Sequence, residues 1–180
     1  MTRTRLVTAV LAAAALLTAC GSDEDKPLTD AQGRWVDAFC GGVLPGLRAG
    51  QELQAQDPAD PAAVKAAYLK LVTANAAALT DAVRELTELG SPSDELRDVH
   101  DGTLRYFTES AKSYEAAKDP ITVLAADAGF WDDAEQVLAR TSQVSTPEQL
   151  RATFDALERS PKYAAAVGRS RPCSELKAKQ

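Results

Sequence analysis

Val64, Tyr68, Leu71, Asn75, Ala78, Ala82, Leu86 and Leu89 recur at spacings of four and three residues, between Asp60-Pro61 on one side and Gly90 on the other. A helix turns once every 3.6 residues, so this spacing puts all eight side chains on one face of an α-helix. Asp60 serves as its N-cap, offering a side-chain oxygen to a free backbone N–H of the first turn. Pro61 is tolerated at the first helical position, where its missing N–H has no partner to lose, and Gly90 ends the helix. So long a one-sided helix must bury its stripe against other helices, which points to a bundle.

The remaining chain repeats the pattern, with no sustained alternation of period two and little clustering of β-branched residues. Thr29 with Gln32 three residues on forms a capping box, followed by Trp35, Val36, Phe39, Cys40, Val43, Leu44 and Leu47. Gly41, Gly42, Pro45 and Gly46 predict a kink or break in this helix near Pro45. A third helix is expected from Ser91 or Ser93, with Leu96, Val99/His100, Leu104, Phe107, Ala111 and Tyr114 inward, stopping before Asp119-Pro120. So short a junction predicts an antiparallel hairpin of helices two and three, with His100 level with Asp81.

Asp119-Pro120 is expected to open a fourth helix carrying Ile121, Leu124, Ala128, Trp131, Val137 and Leu138, with Gly129 as a point of interruption. Thr146-Pro147-Glu148-Gln149 opens a fifth helix and Ser160-Pro161 a last short turn. The expected architecture is all-α: a bundle of four main helices plus one or two short C-terminal helices. The domain is expected to span 29–175, with 176–180 as a frayed tail.

The first nineteen residues have a different character. Arg3 and Arg5 precede an apolar run from Leu6 to Thr18, about 20 Å long as a helix and too short for a stable bilayer span. Leu17-Thr18-Ala19-Cys20 resembles the lipobox of bacterial lipoproteins: an aliphatic residue, two small residues and a cysteine. The resemblance implies a signal peptide over 1–19, cleavage of the Ala19–Cys20 bond and a diacylglycerol on the Cys20 thiol. Two acyl chains supply on the order of twenty kcal/mol of anchoring at ~0.8 kcal/mol per buried methylene. The membrane, reached through this lipid, is the implied first partner, and the outer face of the cytoplasmic membrane the implied location. Residues 20–28 form a short tether, of which Gly21–Pro27 reaches roughly 25 Å when extended.

Removing the first 19 of 180 residues deletes two arginines and no acid, so the formal charge moves from −6 to −8. An acidic domain makes nucleic acid a poor partner. Two further cysteines remain, Cys40 and Cys173. In an exported chain they are expected to pair, the alternative being two separately buried thiols. Closing so long a loop is worth roughly 5 kcal/mol on a chain-entropy model. The chain also resembles the small Ala-rich lipoproteins of high-GC Gram-positive bacteria, with a Trp-x4-Cys start (Trp35 to Cys40) and a Pro-Cys end (Pro172-Cys173). That resemblance implies location and fold, not chemistry.

HExxH, CxxC, P-loop, GxGxxG and GxSxG patterns are all missing from the sequence, and there is one histidine. No catalytic residue, metal ligand or cofactor is assigned. Three residues are candidates for ligand contact, each with a plainer alternative. His100 lies in the acidic stretch Ser93–Asp101, either as one ligand of a divalent ion or, as favoured, a boundary histidine on a solvated face. Asn75 lies on the inward stripe, and the favoured role is to pin helix register. Trp131, within Gly129-Phe130-Trp131-Asp132-Asp133, is either an interaction edge or, as favoured, a core residue. The expectation is a non-catalytic interaction or structural module facing an envelope protein. The alternative is a small-ligand binder with an apolar pocket between helices.

Overall fold

The computed structural model describes residues 28–142 and 148–178. Cys20, the expected signal peptide and most of the expected tether lie outside the described residues, as do Thr146 and Pro147. The chain forms α1 (Asp30–Gln54), α2 (Pro61–Leu89), a 3₁₀ turn (Asp94–Leu96), α3 (Arg97–Thr122), α4 (Phe130–Thr141), α5 (Glu148–Arg159), α6 (Pro161–Arg169) and α7 (Arg171–Ala178). No strand occurs among the described residues. The fold is all-α, and Cys40 and Cys173 are bonded across it with Cα atoms 5.1 Å apart.

α1, α2 and α3 form the frame, with α6 and α7 against α1, α4 against α3 and α2, and α5 against α3. α1 starts as its sequence requires: Thr29 Oγ1 accepts from the Gln32 backbone N–H, and Gln32 Oε1 accepts from that of Thr29. It does not break at Pro45, contrary to expectation, but runs unbroken to Gln54. The reason lies in what its glycines touch. A Cβ at Gly42 would sit 2.6 Å from Cβ of Ala82, and one at Gly46 would sit 2.0 Å from Oδ1 of Asn75. Two of the glycines read as helix weakeners let α1 approach α2 closely. The burial gained along that seam outweighs the hydrogen bond Pro45 cannot donate.

Two further expectations fail. The α2–α3 connection is not a tight turn at Gly90–Ser91. Gly90 takes φ 68°; Ser93, one of the two expected caps, precedes the 3₁₀ turn Asp94–Leu96, which runs directly into α3 at Arg97. Ala82 and Phe107 both face Gly42, while His100 is bonded to Trp35 and feels the charge of Asp101, so the expected contact of His100 with Asp81 does not form. Asp81 instead forms an exposed ion pair with Arg84. At its other end α3 continues through Pro120 to Thr122. Ile121 is fully buried against α2 and α4, and Lys65 Nζ donates to the Thr122 and Leu124 carbonyls at 2.8 and 2.6 Å. Burial and this cation at the helix C-terminus hold the last turn. The expected fourth helix is thus only its second half, starting after Gly129.

The core has two centres. One joins Trp35, Phe39, Leu86, Phe107, Leu157, Val167 and the disulfide. The other joins Leu53, Val64, Tyr68, Val72, Ile121, Phe130 and Val137 toward the opposite end of α1. On α2 the central buried residues are Val72, Ala76 and Leu79, one position along from the expected Leu71, Asn75 and Ala78. α7 extends the ordered chain past the expected end at 175, because Leu176 is buried in the first centre.

Candidate functional site

The sequence candidates do not converge; they occupy three separate places. His100 is not on a solvated face. It is 6% exposed, and its Nδ1 accepts from the indole Nε1 of Trp35 at 3.0 Å. Burial lowers its pKa below 6.5, and the smaller opposing effect of Asp101 does not reverse that. The neighbouring acids Asp94, Glu95, Asp98 and Asp101 are exposed. The 3.6-residue period explains the split, since His100 shares a face with Leu96, Thr103 and Phe107 while the acids lie on the other. Trp35 stacks on Phe39 and Phe39 on Phe107, with ring centroids 5.8 Å apart in both pairs, and Phe154 meets Phe39 edge-on at 4.9 Å. His100 is a structural acceptor for a buried indole. Among the described residues no group of three His, Cys, Asp or Glu side chains could hold a metal ion.

Asn75 is half-buried on the α1–α2 seam, where its Nδ2 donates to the Leu71 carbonyl at 3.0 Å and its amide fills the space above Gly46. This is a packing role specific to one register.

Trp131 departs most from the favoured reading. It is 43% exposed, whereas Phe130 before it is buried, and both rings meet Tyr68 edge-on at 5.8 and 5.9 Å. Adjacent helical residues point about 100° apart, so only one of the pair can enter the core. Phe130 takes it, together with Ala134 and Val137. Trp131 is left at the edge of a surface cleft of about 340 Å³ between the end of α1, the start of α2 and the start of α4. Leu53, Pro58, Pro61, Val64 and Phe130 supply its apolar lining, and Asp127, Gln54 and Gln56 its polar groups. Asp127 is held in place by the Gly129 backbone N–H, which donates to its Oδ1 at 2.9 Å. Burial, and next the adjacent Glu135 carboxylate, push the Tyr68 hydroxyl pKa upward, so it stays protonated beneath the cleft. The sequence marked Trp131; the contributions of Pro58 and Pro61 required the α1–α2 turn.

A second concavity lies at the opposite end of α1, among Thr29, Asp30, Arg34, Asp37, Arg169 and Ser170. Its charges are of both signs. Nearby, Tyr163 Oη and Gln32 Nε2 both donate to the Pro92 carbonyl, at 2.9 and 2.7 Å, which ties α6 and the α2–α3 connection to the start of α1. Among the described residues no helix is long and apolar enough to cross a membrane.

Comparison of the chain with protein-family models, with curated proteins and with solved structures finds no match.

Proposed function

We propose that this chain is an exported lipoprotein, anchored through Cys20 to the outer face of the cytoplasmic membrane, whose helical domain is a non-catalytic interaction module of the envelope. One observation carries the interaction role: an exposed tryptophan edges an apolar cleft at the end of α1 opposite the tether. A 25-residue helix is about 37 Å long, so the cleft lies that far along α1 from the end that follows the tether. The Cys40–Cys173 bond is consistent with folding outside the cytoplasm. A small-ligand binder is the second reading, favoured by the apolar lining of the same cleft.

The anchor is tested by intact-mass measurement of the membrane-extracted protein, expected to show a chain starting at Cys20 with a diacylglyceryl group. A Cys20→Ala protein processed and retained on membranes like the parent would refute it. The interaction role is tested by a photo-crosslinking amino acid at position 131 in living cells. A discrete protein adduct is expected there and not at exposed Arg84; adducts equal at both positions, or none at 131, would reject it.

A further inference from the structure

We infer that the Trp131 cleft docks a basic peptide segment carrying a bulky apolar side chain; this rests on the interaction role above and gives its partner a chemistry. The floor is apolar and already supported from below, since Leu53, Val64 and Phe130 belong to the second core centre. At about 340 Å³ the space suits one or two apolar side chains, at the small end of clefts that bury compact ligands (~300–1,000 Å³). Trp131, held edge-on against Tyr68, gives such a side chain a rigid ring to pack on.

Charge selects what accompanies the anchor. Asp127 is the one charged residue among those lining the cleft. Asp57 and Asp60 bracket Pro58 in the α1–α2 connection, and Asp132 and Asp133 follow Trp131 in the first turn of α4. Asp57, Asp60 and Asp127 each accept a backbone N–H on Oδ1, from Ala59, Ala63 and Gly129, so these carboxylates are fixed before any partner arrives. The cations close by are engaged: Lys65 with the Thr122 and Leu124 carbonyls, Lys70 with Glu52. A lysine or arginine beside the apolar anchor gains from this fixed negative field and can lie over the exposed indole face. An acidic segment is repelled by the same field.

The test pans a random peptide library against the membrane-extracted protein in neutral-lipid nanodiscs, alongside Trp131→Ala and Asp57→Asn/Asp127→Asn proteins. Both asparagines keep the acceptor oxygen for the backbone, and helical circular dichroism verifies that each variant is folded. Enriched peptides should place Lys or Arg beside Phe, Leu or Trp, should be lost with Trp131→Ala, and should bind about tenfold more weakly to the double asparagine variant. Enrichment of neutral peptides that still need Trp131 would overturn the charge chemistry while leaving the interaction role intact. Enrichment indifferent to Trp131, or no enrichment, would overturn the docking site. A small aromatic amine that binds as tightly as the best peptide would overturn the peptide assignment and make the cleft a small-ligand site.

Discussion

Trp35 Nε1 donates to His100 Nδ1 at 3.0 Å inside the core, which requires Nδ1 to be unprotonated and puts the neutral imidazole's proton on Nε2. Burial, working against the smaller pull of Asp101, lowers the pKa of His100 below its ordinary 6.5. The unfolded chain therefore binds a proton that the folded chain refuses, and stability falls as pH drops through about 6.5 toward the folded-state value. Above 6.5 both states are neutral and this contribution is complete. Urea unfolding of the parent and of His100→Gln between about pH 8 and pH 5 should show the parent's advantage shrinking across that window. A difference that stays constant, or grows toward acid, would contradict the neutral buried imidazole. His100→Ala at neutral pH should cost about 1–3 kcal/mol, because the buried indole N–H loses its acceptor.

The Cys40–Cys173 bond joins α1 to α7 across a sequence separation of 133 residues. On the chain-entropy account, a Cys40→Ala/Cys173→Ala protein should lose on the order of 5 kcal/mol, set against the ~5–15 kcal/mol of an ordinary domain. Equilibrium unfolding of the two proteins measures it. A loss under 1 kcal/mol would mean that α6 and α7 hold α1 without the covalent link.

The elements visible in the sequence were those with punctuation and a stripe of their own. Thr29/Gln32, Asp60-Pro61 and Ser160-Pro161 mark helix starts that the structure reproduces. Local signals mislead where tertiary packing overrides them. Pro45 and Pro120 both sit inside helices, one held by the glycine seam against α2, the other by the burial of Ile121 and by Lys65. Periodicity fixes a helix face only to within about one residue, which is why Leu71 and Asn75 stood in for Val72 and Ala76, and Trp131 for Phe130. The cleft was visible only as an aromatic pair, because its other walls come from the α1–α2 connection.

Lys65 should matter more than a half-buried surface lysine usually does. Its two hydrogen bonds close the C-terminus of α3 beyond Pro120, and the connection that follows carries Asp127 and Ala128 to the cleft. Lys65→Met keeps most of the aliphatic stem and removes the donors, at an expected cost of about 1–2 kcal/mol. Amide hydrogen exchange should speed up at 123–129 and stay unchanged in the middle of α2. Uniform acceleration across the domain would show a global role instead.

The glycine seam separates two kinds of crowding. A methyl at Gly42 meets Ala82 Cβ, which can move only with the α2 backbone, whereas a methyl at Gly46 meets the Asn75 amide, a side chain that can swing away. Alanine also favours a helix interior by about 1 kcal/mol over glycine, which opposes the clash in both cases. For Gly42→Ala the rigid contact should win, giving a net loss of about 1–3 kcal/mol as α1 and α2 are forced apart. For Gly46→Ala the balance depends on Asn75, so the informative measurement is a double-mutant cycle with Asn75→Ala. The Gly46→Ala/Asn75→Ala protein should be more stable than the two single changes predict together, by about 0.5 kcal/mol or more. Strict additivity would mean that Asn75 does not fill the space over Gly46, and that this contact does not help α1 continue unbroken past Pro45.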